Sequence, residues 1–419
     1  MTSTTSRLPR RRGSQGWSAL RARLETPTAT YHLLVAVTTA LVLFGLVMVL
    51  SASAVESLTE TAARSPFRIF AKQVLFAGIG LVALLVAMRL KVRHWRMLAV
   101  PIWVISIGLQ LLVFSPLGAS ALGNQNWIKV GSITIQPSEL VKLGLVLTGA
   151  LFLEKQRHRL AEVARVVVPY LFPIAALSCG LVLAGSDLGT VVVMTAIVVG
   201  VLFVAGVPLR WFTAVGLVVS ALAAGFVVSA PHRLQRLDVW LGRDTDPFGA
   251  ARQPLHGRYA LADGGWFGQG LGASREKWQL LSEPHNDFIF AIIGEELGLP
   301  GTLVILVLFA LLAYVCLRIV TRAETDFVRI AAAGIMAWVL SQAMVNVGSV
   351  IGMLPVIGVG LPLVSSGGSS LITTMLAIGI LLSFARAEPG CAQALQGGGL
   401  RLRRSAAVLP GLRRRGSVT

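Results

Sequence analysis

Charge is what this sequence is short of. Only 13% of its 419 residues are Asp, Glu, Lys or Arg, about half the share of a water-soluble globular chain. So sparse a supply cannot coat a surface that faces water. A soluble assembly of two or three domains, which the length would allow, is thereby excluded. Acids are scarcer still, 19 against 37 basic residues, for a formal net charge of +18. The three cysteines, Cys179, Cys316 and Cys391, stand far apart with no disulfide or metal spacing, and packing is their role. Aromatic residues make up 7% and do not interleave with the basic ones, which removes nucleic acid from the partners despite the charge. No repeat of roughly 20–50 residues appears, nor matching halves of the inverted-repeat kind.

Apolar sequence fills the space that charge leaves. Hydrophobic residues are 55% of the chain and the mean hydropathy is +0.75. Apolar stretches close to twenty residues recur, each able to cross ~30 Å of hydrocarbon at 1.5 Å per residue. Spans are expected at 31–50, 67–88, 98–114, 137–153, 166–183, 188–206, 212–228, 299–317, 330–350 and 370–384. The fold class is therefore all-α, a polytopic membrane protein of about ten transmembrane helices with one long extracytoplasmic loop, 229–298. The first span follows Arg7, Arg10 to Arg12, Arg21 and Arg23 without a small-residue cleavage site, so it is not a removed signal.

Basic residues fall on every second connection: Arg89, Lys91, Arg93 and Arg96; Lys155, Arg157, Arg159 and Arg165; Arg210; Arg318, Arg322 and Arg329. That alternation places these loops and both termini in the cytoplasm. Three regions follow: a basic, disordered cytoplasmic tail (1–30), a membrane domain (31–386) and a second basic tail (387–419) with Gly397 to Gly399 and Arg413 to Arg415. The 229–298 loop has too few apolar residues for a core of its own and is expected to cap the membrane domain. Gly298, Pro300 and Gly301 interrupt the apolar stretch after Asp287, so 287–297 reads as a half-helix at the outer boundary. Asp287, Glu295 and Glu296 are then expected at the outer surface, in or beside a wet cavity.

Ionisable groups at membrane depth are costly and mark function. Glu139 and Lys142, three apart just after Pro137, share a helix face. They either lock two helices as a salt bridge or present a cation to a phosphate. Ser282-Glu283-Pro284-His285-Asn286-Asp287-Phe288 is the densest polar cluster. Asp287 beside His285 suits a general base or a metal ligand; equally, Asn286 or Asp287 suits a plain helix N-cap. Arg252, Gln253, Arg258, Arg275 and Lys277 make the outer loop basic enough to grip a pyrophosphate, or are simply solvated. Gly352 to Pro355, Gly358, Pro362 and Ser365 to Ser370 could bare backbone N–H groups to an anion or only allow close packing.

Taken together the segments resemble the SEDS (shape, elongation, division, sporulation) family of peptidoglycan glycosyltransferases, in its FtsW-like cell-division branch. The resemblance runs through Gly45 to Met48 with Ser51 to Ser53, Phe70 to Gln73, and Asn126-Trp127-Ile128. It continues with Gln136-Pro137-Ser138-Glu139-Leu140-Val141-Lys142 and Asp187-Leu188-Gly189-Thr190, then Gly264-Gly265 and Gly268 to Gly272. The last segments are His285 to Phe290 with Glu295 to Gly298, and Asn346 to Ser370. Order and spacing agree across the membrane domain and leave out the tails. Gly185-Ser186, His256 and Ser366 depart from the usual pattern.

The resemblance implies a glycosyltransferase that polymerises lipid II at the outer face of the bacterial cell membrane during septal wall synthesis, releasing undecaprenyl pyrophosphate. It places the essential acid at Asp287, as base or as organiser of a divalent cation (Mg2+ or Mn2+), with no tightly bound cofactor. Glu139, Lys142 and Trp127 would line the cavity, with Gln253, Arg258, Lys277 and His285 as further substrate contacts. Implied partners are lipid II and undecaprenyl-linked glycan, a class B penicillin-binding protein acting as transpeptidase, and other divisome membrane proteins. A lipid II flippase, a RodA-like elongation polymerase, or a scaffold that only activates its partner are the competing expectations.

Overall fold

The computed structural model describes residues 26, 28–59, 66–121, 124–131, 133–157, 167–228, 231–246, 248–278, 280–388, 390–391 and 393–394. The basic tails expected at 1–30 and 387–419 lie almost wholly outside the described residues, as do Arg159 and Arg165. Among the described residues nine helices are long and apolar enough to cross a membrane. They are α1 (Ala29–Thr59), α2 (Arg68–Arg89), α3 (Val92–Leu112), α5 (Val167–Ala184), α6 (Leu188–Ala205), α7 (Leu209–Val228), α10 (Ile289–Arg322), α11 (Asp326–Val350) and α12 (Gly368–Arg386). A tenth, α4 (Pro137–Lys155), equals them in length but carries Glu139, Lys142, Glu154 and Lys155. Lipid would reject those charges, and α4 avoids it: it packs against α3, α5, α6, α11 and α12 with most of its residues buried. The ten expected spans are all present. Two shorter helices, α8 (Pro231–Trp240) and α9 (Arg252–Gly264), lie in the long loop, and α9 packs on α10.

Several helices run past the expected bounds, α1 to Thr59 rather than 50 and α10 to Arg322 rather than 317. The span expected from 98 begins at Val92, so Arg93 and Arg96 stand in its first turns rather than in a loop. Only Leu90 and Lys91 separate α2 from α3. Glycines set the closest helix contacts, as small residues do where helices meet in lipid. A Cβ at Gly379 of α12 would come within 2.7 Å of the Ala87 Cβ and the Leu84 carbonyl of α2.

The helical architecture is joined by a small sheet that the sequence reading did not foresee. Strands β1 (Gly118–Ala121), β2 (Asn124–Val130) and β3 (Ile133–Ile135) form an antiparallel meander, with Gly118 opposite Ile128 and Ile128 opposite Ile135. The sheet is anchored where the Gln125 amide and the Asn126 side chain both donate to the Gly185 carbonyl, at 2.9 and 3.2 Å. A side chain at 185 would collide with Asn126. The glycine of the unusual Gly185-Ser186 pair is therefore what lets the sheet sit this close.

The break in α10 falls where expected. Gly298 has φ 65° and ψ −158°, a region open essentially to glycine alone. Its bend presses Gly298 against the backbone of Phe267 and Gly268, and Gln269 and Gly270 donate to the carbonyls of Glu295 and Glu296. A Cβ at 298 meets both the forbidden dihedral and the Gly268 amide. Gly298→Ala should destabilise the protein by roughly 2–4 kcal/mol, measured as a fall in the thermal unfolding midpoint. Gly216→Ala, in open space on α7, should leave that midpoint in place.

The helix ends sort into two groups. At one end the connections are short and basic, and two ion pairs join them, Arg96 to Glu154 at 2.6 Å and Arg157 to Asp326 at 2.5 Å, while Arg329 pairs with Asp326 within α11 at 2.6 Å. At the other end lie the sheet, the long loop with α8 and α9, and the segment between α11 and α12.

Candidate active site

Proline at the first position of α4 starts the helix without losing a hydrogen bond, and brings Glu139 and Lys142 onto one inward face. The Lys142 Nζ donates to Glu139 Oε1 at 2.9 Å and to Gln342 Oε1 at 3.0 Å, and lies 4.9 Å from the centre of the Trp338 ring. Gln342 also accepts from the Trp338 indole at 3.0 Å, and Thr373 donates to the other oxygen of Glu139 at 3.2 Å. Lys142 is 1% and Glu139 4% exposed, so each ion relies on the other and on these hydrogen bonds rather than on water.

Asp287 sits on a loop whose backbone is held from several sides. Asn346 of α11 donates to the Asp287 carbonyl at 2.8 Å and to the Val359 carbonyl at 2.7 Å. Ser365 donates to the Asn286 carbonyl at 2.7 Å, and the Ser366 amide to the His285 carbonyl at 2.9 Å. Phe288, next in sequence, is sunk in the core. Amid this bracing the Asp287 carboxylate itself makes no hydrogen bond or ion pair with the described residues. The N-cap alternative fails: Phe288 occupies the N-cap of α10, with no side-chain cap.

The carboxylate faces a polar cavity of about 240 Å3 lined also by Trp127, Gln136, Glu139, Lys142, Asp187, Gln342 and the serines between Ser365 and Ser370. Burial pushes the Asp287 pKa from 3.8 up to about 7; the Glu283 charge adds to the rise, Arg236 and His285 oppose it, and Asp187 adds a little more. Asp187 caps α6, accepting from the Thr190 amide at 2.9 Å and its hydroxyl at 2.7 Å, and takes a 3.2 Å bond from Gln136.

Of the residues singled out from the sequence, Asp287, Glu139, Lys142 and Trp127 thus share this cavity, together with Asn286, Gly358 and the Ser365 to Ser370 segment. Gln253 and Arg258 do not. They line a larger neighbouring basin of about 710 Å3 with Arg236, Arg252 and Ser282, and Gln253 donates to the Ser282 hydroxyl. A narrow cleft holding Arg236, Ser186 and Ile357 lies beside both. Lys277 lines neither. It is buried, bonding Glu296 at 3.0 Å and the Gly272 carbonyl at 2.7 Å. His285 faces Glu56 at 2.8 Å and Glu283 at 3.8 Å.

Glu295 and Glu296, expected at a wet surface, are 0% and 1% exposed. Ser274 and the Arg275 amide satisfy Glu295, while Lys277 and Ser51 satisfy Glu296. They fasten the outer loop rather than line the site. Arg236, Gln342 and Asn346 also belong to the site region. In the sequence Asn346 only opens the segment to Ser370, and Arg236 has no signal beyond belonging to a basic loop.

Nine apolar membrane-length helices and a charged, buried tenth, with a carboxylate unpartnered among the described residues in a polar cavity at one end, define a polytopic membrane protein with a site at its boundary. The chain belongs to the FtsW/RodA/SpoVE family of cell cycle proteins, whose model matches residues 31–389. It is 42% identical over 378 residues to a probable peptidoglycan glycosyltransferase FtsW of Mycobacterium tuberculosis, covering 90% of this chain and 72% of that one. It is 39% identical to the stage V sporulation protein E of Bacillus subtilis, covering 84% and 96%. Among solved structures it resembles a chain of a peptidoglycan synthase complex that coordinates polymerization and crosslinking, with TM-score 0.68 and 29% identity over 85% of this chain and 98% of that one. The rod shape determining protein RodA of Thermus thermophilus matches with TM-score 0.62 and 28% identity, covering 85% and 96%.

Proposed function

We propose that this chain is a peptidoglycan glycosyltransferase that polymerises lipid II at the outer face of the cell membrane, with Asp287 as general base. The observation that carries the reading is the Asp287 carboxylate, its backbone braced and its oxygens unengaged among the described residues, facing a polar cavity at the bundle's end. The 4-hydroxyl of one lipid-linked disaccharide attacks the anomeric carbon of the growing chain. Asp287 takes the hydroxyl proton as the new C–O bond forms, and the bond to the pyrophosphate breaks, so that undecaprenyl pyrophosphate leaves with the electron pair. A base placed for such a transfer is worth about 10²–10⁴-fold. Arg236, Arg252 and Arg258 of the adjoining basin supply guanidinium forks for the diphosphate, with Gln253 and Trp127 toward the sugars.

Orientation follows from charge. The end carrying Arg89, Arg93, Arg96, Lys155, Arg157, Arg322 and Arg329 belongs in the cytoplasm, with both termini, which sets Asp287 outside. A divalent cation at Asp287 would take its remaining ligands from the substrate's phosphates; the group of three side chains that could close on an ion among the described residues, Glu56, Glu283 and His285, does not include it. No step is routed through a metal. FtsW names among relatives at 42% and 36% identity support the division branch over a RodA-like elongation role, and with it a septal site, a class B penicillin-binding protein as transpeptidase, and divisome partners.

The assay is purified protein with labelled lipid II. Polymer is expected; labelled lipid crossing vesicles without polymer would instead make the protein a flippase. The pH profile tests the base. Asp287 accepts a proton only when ionised, and its pKa stands at about 7. The polymerisation kcat/KM should therefore climb with pH, reach half its plateau near pH 7 and fall about tenfold per unit below it. A flat profile between pH 5 and 8 would exclude Asp287 as base.

A further inference from the structure

At the basic end of the bundle, away from Asp287, lies a cavity of about 460 Å3. The first turns of α3 give it Arg93, Arg96 and Met97, the end of α4 gives Lys155, the end of α10 gives Arg322, and the α10–α11 connection and the segment after α12 give Glu324 and Glu388. Two cations are already matched. Arg96 bonds Glu154 at 2.6 Å, and Arg322 lies 3.9 Å from Glu388, which also accepts from Thr30 at 3.3 Å. Arg93 and Lys155, both exposed, have no ion pair or side-chain hydrogen bond among the described residues. Glu324 is the one acid of this lining without a cationic partner among the described residues, so positive charge is left over.

We propose that this cleft seats the headgroup phosphate of an anionic phospholipid. Its place is the ends of membrane-crossing helices, the level at which headgroups lie. Its walls divide as such a ligand does, into a cationic rim and flanks of apolar side chains such as Met97 and Phe384. Its volume leaves room for a phosphate, a glycerol and the first methylenes rather than a phosphate alone. Cationic pockets between helices recognise headgroups by this division of labour. The proposal is independent of the polymerase reading and of which leaflet the cleft meets.

The test is native mass spectrometry of the full chain released from micelles holding equal phosphatidylglycerol and phosphatidylcholine. Phosphatidylglycerol should be retained about tenfold over phosphatidylcholine. The Arg93→Gln/Lys155→Gln double variant should lose that preference while unfolding at the wild-type temperature. Arg329→Gln, at the same end but outside the cleft, should keep it. Equal retention of the two lipids, or a preference that survives the double variant, overturns the proposal. Displacement of the retained lipid by millimolar inorganic phosphate makes this a free-anion site and overturns the lipid assignment. If the double variant does not fold, the wild-type lipid preference and the phosphate competition decide the matter.

Discussion

Asp287→Asn should abolish polymerisation of labelled lipid II, lowering the rate by about 10³-fold or more, while the protein unfolds at the wild-type temperature. The substitution keeps the shape of the side chain and removes its ability to take a proton, and general-base contributions of about 10²–10⁴-fold are at stake. Folding should be spared, because the bonds that hold this loop go to backbone atoms: Asn346 to the Asp287 carbonyl, Ser365 to that of Asn286, and the Ser366 amide to that of His285. The carboxylate contributes none of them. Burial also costs the ionised acid more than a neutral amide, so the variant should be no less stable than the parent at pH 8. Asp187→Asn is the useful contrast. Asp187 caps α6 through Thr190 and holds Gln136, so its loss should cost stability as well as rate. Equal polymer yields from wild type and Asp287→Asn would remove the base from the mechanism.

Lys142→Met should be the most destabilising single change at the site, by about 3–5 kcal/mol. Methionine fills much of the volume but leaves the Glu139 carboxylate, 4% exposed, with Thr373 as its remaining side-chain partner. Gln342 would keep its bond from Trp338 and lose the one from the ammonium. The double variant Glu139→Gln/Lys142→Met should recover most of the loss, since an apolar or neutral pair of similar size replaces buried ions at little net cost. Thermal unfolding of the two single variants and the double, in one detergent, measures the coupling. Additive losses would mean that the 2.9 Å ion pair contributes nothing to the fold.

The residues explain what the sequence could and could not reveal. The helices were legible because lipid demands long apolar runs, and Gly298 because glycine and proline within four residues interrupt such a run. The pairing of Glu139 with Lys142 followed from helical spacing alone. The sheet was not legible: strands of four, seven and three residues are too short for alternation to stand out, although Gly131, with φ 63°, sits where the turn between Val130 and Ile133 needs it. The fates of Lys277, Glu295 and Glu296 were hidden for another reason. A cation in a polar loop looks like a ligand for substrate until its partner nineteen residues on is seen to reach it. The polar cluster offers Asp287 as base, ligand or helix cap and the resemblance favours the first two; the cavity before its oxygens is visible only in three dimensions.

α4 has a consequence for how the protein is made. A helix with Glu139 and Lys142 in its first turns and Glu154 and Lys155 at its end has little to offer a bilayer, since charged side chains within a span oppose insertion. Its neighbours α6, α11 and α12 all follow it in the chain. As it leaves the ribosome, α4 therefore has only α3 among its main companions, and waits at the edge of the lipid for partners still being synthesised.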